Sequence, residues 1–150
     1  MSVISEEEMH EIVEVVWMSV LDLPIEFGDE AELALCDYLV SEIQISGTWE
    51  GVVTVRASDA FLVHAASVMF SCPVDELTDI DRSDTLTELT NMLGGTVKCM
   101  LPEPCDLSLP HIIMEDATDS TEHEWVNFNC ANTPLAVAVT AKVQGAQQAA

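Results

Sequence analysis

Apolar residues recur every three or four positions in three stretches of this chain and alternate with polar ones in several others. Across residues 5–21, Met9, Ile12, Val13, Val16, Trp17 and Val20 fall on one helical face. Ser5 followed by Glu8 predicts a capping box, and Pro24 ends the segment. A short strand is expected near Pro24 to Phe27. The runs CDYLVSEIQISG and GVVTVRAS flank Gly47 to Gly51 and predict a hairpin, the start of the first run being open between helix and strand. SDAFLVHAASVMF reads as a helix capped at Ser58 and stopped by Cys72-Pro73.

The next periodic stretch is DTLTELTNMLGGTVKCML, in a helix expected to begin near Ile80 or Ser83 and to run to Leu101, before Pro102 and Pro104. Leu86, Leu89, Leu93, Val97 and Met100 form its narrow apolar face. LSLPHIIM then reads as a strand with Pro110 at its edge or at a bulge. EWVNFNCA and PLAVAVTAKV read as two more strands about an Asn132-Thr133 turn, and the tail from about residue 144 is expected to fray. No low-complexity linker divides the chain, so residues 1–150 are expected to form one domain.

Opposite the apolar face of the Leu86 helix lies a polar stripe: Asp84, Glu88, Asn91, Gly95 and Lys98. Glu7, Glu11, Glu14 and Met18 share the spacing of its first four members, again opposite an apolar face. Two halves, each a helix followed by strands, predict an α/β (α+β) fold. The expected architecture is a pseudo-twofold, two-layer domain with long helices packed on a mainly antiparallel sheet.

The plain reading of the stripe is a solvated helix face. Three features argue for more. Asn is a weak helix former with nothing to gain at an exposed mid-helix position. Gly94-Gly95 follows within the helix, at a cost of about 1 kcal/mol per glycine relative to Ala. Met92 beside the stripe is expected to be exposed. Together these describe a contact surface over which a partner's backbone approaches closely at Gly95. A carboxamide both donates and accepts hydrogen bonds, so Asn91 can position a water for attack on an already activated bond such as an acyl phosphate. Glu88 can pair with a partner's cation or serve as a general base.

Charge narrows the partners. The formal net charge is -23, and Arg56, Arg82, Lys98 and Lys142 are the whole cationic complement. Nucleic acid and anionic membrane surfaces are disfavoured, since both require clustered cations. Solubility or a salty cytoplasm is the simple account of the acidity. The longest nearly apolar run, FLVHAASVMF, is too short to span a bilayer. The acidic SEEEMHE start lacks signal-peptide character. With five cysteines and no CxxC, free thiols in a reducing cytosol are expected. Cys99, Cys105, His111 and His123 match no standard zinc spacing, so no metal is expected on this chain. Cys99 is placed near the apolar side of its helix. No G-x-S-x-G, G-x-x-x-x-G-K-[ST] or G-x-G-x-x-G occurs.

The segment DTLTELTNMLGGTVKCMLPEPCDLSLPHII resembles the signature helix and following strand of the CheC/CheX/FliY phosphatases of bacterial chemotaxis, most nearly CheX. An acidic or Ser residue, Glu, Asn and a downstream Pro correspond to Asp84, Glu88, Asn91 and Pro110. Gly95 and the Leu107-Ser108-Leu109-Pro110 strand fit the CheX branch. The Asn-to-Pro spacing is shorter than in CheC, and Glu115-Asp116 stands where a glycine is common.

The resemblance implies a cytoplasmic phosphatase for the phospho-aspartate of a CheY-like receiver. Asn91 would orient the attacking water and Glu88 would pair with a receiver lysine. On the contact surface read from the stripe itself, Met92 and Gly95 would meet the partner, and Asp84 and Lys98 would be helix support or peripheral partner contacts. The receiver would carry the Mg2+, no cofactor being bound by this chain. It also implies a homodimer and, because Glu14 stands where Asn would, one site per chain. The rivals are a non-catalytic module binding a receiver or the flagellar motor, and a purely structural dimerising domain.

Overall fold

Ser5 caps the first helix, α1 (Glu6–Val20), through the capping box expected with Glu8. The computed structural model describes residues 4–113 and 124–142. After α1 come β1 (Glu26–Phe27), α2 (Glu30–Ala34), the hairpin β2 (Tyr38–Gly47) and β3 (Gly51–Ser58), and α3 (Asp59–Phe70), whose first turn is capped by Ser58. A short 3-10 turn (Val74–Glu76) leads to α4 (Asp79–Lys98), followed by β4 (Cys105–Leu107), β5 (His111–Ile113), β6 (Val126–Cys130) and β7 (Thr133–Ala141).

All pairings are antiparallel, in the order β1-β6-β7-β3-β2-β4, with β5 also on β2. This order is a palindrome. Exchanging the first-half strands β1, β2 and β3 for β4, β6 and β7 regenerates it, with the β3–β7 pair at the centre. Each half lends its edge strand to the hairpin of the other. The pseudo-twofold, mainly antiparallel architecture read from the sequence is therefore present.

One sheet face carries Ile43, Ile45, Val53, Val55, Val137 and Val139, which meet Met9, Val13 and Trp17 of α1, Phe61 and Leu62 of α3, and Leu86, Leu89, Leu93 and Val97 of α4 in one buried cluster. Trp17 stacks on Phe61 at 5.7 Å between ring centroids. Truncating any of these leucines to alanine would cost about 2–5 kcal/mol. The small helix α2 lies on the opposite face, where Glu32 Oε1 accepts a hydrogen bond from Asn129 Nδ2 at 3.0 Å.

Several boundaries differ from the sequence reading. α4 starts at Asp79, next to the earlier of the two expected starts, because Thr78 and Asp81 form a second capping box. It ends at Lys98, where Met100 N–H and Leu101 N–H bond to the carbonyls three residues back. That tighter winding rotates Leu101 inward and leaves Met100 47% exposed, off the apolar face expected for it. LSLPHIIM is not one regular strand. Ile43 and Gln44 face residues 108–110, so β4 and β5 are two pieces of an edge strand bulged next to Pro110. The last hairpin turns at Ala131-Asn132, both with positive φ (51° and 65°), and Thr133 already belongs to β7. α2 was not read from the sequence at all. Met114, Glu115, Asp116, His123 and the tail lie outside the described residues.

Candidate docking face on helix α4

The four threonines of α4 satisfy their hydroxyls within the helix. Thr85, Thr90 and Thr96 donate to the carbonyls of Asp81, Leu86 and Met92 at 2.8, 2.8 and 3.0 Å, and Thr87 to that of Asp84 at 3.1 Å. The polar surface that remains is the stripe. Asp84, Glu88 and Asn91 are exposed, and Gly95 and Lys98 half-exposed. Three residues separate Glu88 from Asn91, a rise of about 4.5 Å, so carboxylate and carboxamide stand side by side. Neither makes a hydrogen bond or ion pair among the described residues. Asp84 is free in the same sense.

The two glycines serve different purposes. A Cβ on Gly94 would come within 2.8 Å of Ile43 Cγ2, so this glycine lets α4 lie close on β2. A Cβ on Gly95 would meet nothing within 4 Å. The fold gives no reason for Gly95, and its helix-propensity cost is uncompensated inside the chain. The sequence did not distinguish them; only the direction of the neighbouring sheet does. Met92 departs from expectation: it is half-buried and packs against the core instead of standing free.

On α1, Glu7, Glu11 and Glu14 are exposed, and Met18 is 43% exposed where the α4 stripe has Gly95. The two helices contact each other.

The remaining candidate chemistry does not assemble. Cys99 lies just past the end of α4 and is exposed, contrary to the expected apolar placement. Cys105 is buried, its thiol donating to Pro102 O at 3.2 Å. All five cysteines are free, and among the described residues no group of three or more His, Cys, Asp or Glu could hold a metal. His123 is outside that set. Burial raises the Cys130 thiol to about 11, opposed by the Trp17 indole beside it. No described helix is long and apolar enough to cross a membrane.

A palindromic antiparallel sheet with one helix displaying a carboxylate and an amide, backed by a glycine with open space above it, defines the class: an α/β domain of the CheC-like type, with that carboxylate and amide held outward. A model of the family described as chemotaxis phosphatase CheX matches residues 39–131, and the chain belongs to that family. The chemotaxis protein CheX of Vibrio vulnificus has a similar structure, with a TM-score of 0.69 at 12% identity over 88% of this chain and 92% of that one. The CheX of Borrelia burgdorferi, solved in a CheX-CheY-BeF3-Mg2+ complex, gives 0.72 at 16% identity over 93% and 99%. Thermotoga maritima FliY gives 0.57 at 13% over 90% and 89%. A search of curated protein sequences finds no match.

Proposed function

We propose that this protein is a phosphatase for the phospho-aspartate of a CheY-like receiver, and that the α4 stripe is half of a composite active site. In this reading Asn91 enters the receiver's pocket and orients a water toward phosphorus. Glu88 pairs with a receiver lysine and fixes the depth of entry. Attack breaks the acyl-phosphate P–O bond, the receiver's carboxylate leaves, and the water's proton passes to a phosphate oxygen. An amide suffices because the leaving group is already good, so positioning supplies most of the acceleration. The receiver would bring the Mg2+ that neutralises phosphoryl charge.

The observation that carries the proposal is the pair of glycines. Gly94 is explained by Ile43, whereas Gly95 is explained only by something outside the chain that comes close to the helix beside two unpartnered side chains. Family membership and the fold shared with a CheX solved on CheY support the same reading. Asp84 and Met92 are peripheral contacts in it. The homodimer and the cytoplasmic setting belong to the proposal too, and sedimentation of the purified chain tests the first.

The test is phosphate release from an Mg2+-loaded, acetyl-phosphate-charged CheY-like receiver of the same organism. Added protein should accelerate release, and Glu88→Gln should lower kcat/KM by about 10- to 100-fold through loss of a charge-assisted contact. Binding without acceleration would replace the phosphatase with a docking module that uses the same face.

A further inference from the structure

The chain sets four cations against 27 carboxylates, and three of the four are engaged. Arg82 bridges Asp59 at 3.1 Å and also Asp79. Lys142 lies 4.0 Å from Glu50. Arg56 is stacked between the rings of Trp125 and Tyr38, at 4.2 and 5.1 Å. Lys98 has no ion pair or hydrogen bond among the described residues. In so acidic a chain, a lysine with no ion-pair partner among the described residues is a gap in the pairing.

Its position gives that gap a meaning. Lys98 is the last residue of the stripe, ten residues beyond Glu88 and so about 15 Å along the axis. Helical side chains lean toward the N-terminus, which carries the ammonium back toward Gly95, where no side chain stands in the way. Compensation of the helix dipole is the ordinary use of a lysine in a last turn, worth about 0.3–1 kcal/mol. That role would be met equally well by a lysine held by a neighbouring acid.

We propose that Lys98 is a second ionic anchor for the receiver, taking a carboxylate on the receiver's rim while Glu88 takes its cation. This rests on the docking reading above and adds direction to it. Opposite charges at the two ends of one stripe, with Asn91 between them, admit the partner one way round. Reversed docking would set like charges against each other at both ends. Lys98 is thus a positioning and specificity-determining residue, and it touches no reacting atom.

The experiment uses the full chain with a CheY-like receiver carrying Mg2+, beryllofluoride-loaded for binding and acetyl-phosphate-charged for turnover. Lys98→Glu should weaken binding and raise KM by about tenfold or more at low salt, Lys98→Gln by less, and Lys98→Arg should restore both. In all three, kcat should stay near the parent value. The gap between parent and Lys98→Glu should close as ionic strength rises from about 0.01 M to about 1 M, because the Debye length falls from about 30 to about 3 Å. An active parent whose KM is unchanged in Lys98→Glu overturns the inference and leaves the docking reading intact. So does a loss that only follows a fall in Tm, the signature of a dipole role. A parent that neither binds nor dephosphorylates the receiver removes the docking reading itself.

Discussion

Helices α1 and α4 are built alike and finished differently. Both open on a capping box, both bury one apolar face on the same side of the sheet, and the palindromic strand order makes them counterparts. Both turn an acidic stripe outward. On α4 the stripe runs Asp84, Glu88, Asn91, Gly95; on α1 it runs Glu7, Glu11, Glu14, Met18. On the docking reading, two of the four positions set a face that would enter a pocket apart from one that would not. Glu14 puts an acceptor-only carboxylate where Asn91 offers donor and acceptor together. Met18 fills the height that Gly95 leaves open. On the proposed reading, scaffold symmetry is cheap to keep, while the chemistry resides in an amide and an absent side chain.

The comparison can be broken at several points. The largest expected effect is on turnover: Asn91→Ala should lower kcat by about 100- to 1000-fold, the range found when one positioned hydrogen-bonding group is removed from a reacting centre. Its counterpart Glu14→Ala should change the rate by less than about twofold, like other surface substitutions away from a site. Phosphate-release kinetics on both variants measures the contrast directly.

Gly95→Met transplants the α1 residue onto α4. Receiver binding by titration should weaken by about tenfold or more, as expected when a bulky side chain blocks a close contact. At the same time thermal stability should rise slightly, because removing a half-exposed helical glycine is worth about 0.5–1 kcal/mol. Few substitutions should stabilise the fold while disabling the surface. Gly94→Ala should do the reverse. It forces a methyl against Ile43 and should cost about 1–3 kcal/mol in denaturant unfolding, with binding changed only as far as the helix shifts.

One effect outside the stripe sits beneath α1. Burial holds the Cys130 thiol at about 11, above its ordinary 9.0. The unfolded chain gives up that proton first as pH rises. Stability should therefore be full below about pH 9 and decline between 9 and 11, and Cys130→Ala should flatten that limb of the melting profile.

Much of this was legible in the sequence, for identifiable reasons. Ser5 with Glu8, the alternation in GVVTVRAS and the cap at Ser58 are strong local signals, and each element appears where they place it. The start of α4 is open between Ile80 and Ser83 in the sequence because Ile80, 71% exposed, blurs the apolar period just after the Thr78 cap. α2 is five residues long and carries too little periodicity to be seen. Nothing in Ala131 announces a positive φ, which the tight β6–β7 turn imposes. The stripe itself was visible from spacing alone. Met92 was misjudged because half-burial at the margin of a face depends on the neighbouring elements, and the roles of Gly94 and Gly95 separate only when β2 is in place.

The central claim is that Asn91 positions a water in a pocket which the rest of the stripe has already found. The most direct test is one variant with two readouts: Asn91→Ala, assayed for binding to an Mg2+- and beryllofluoride-loaded CheY-like receiver and for release of phosphate from the phosphorylated one. Binding kept within a few-fold of the parent, with turnover lost, is the predicted result. Turnover that survives the substitution would contradict it.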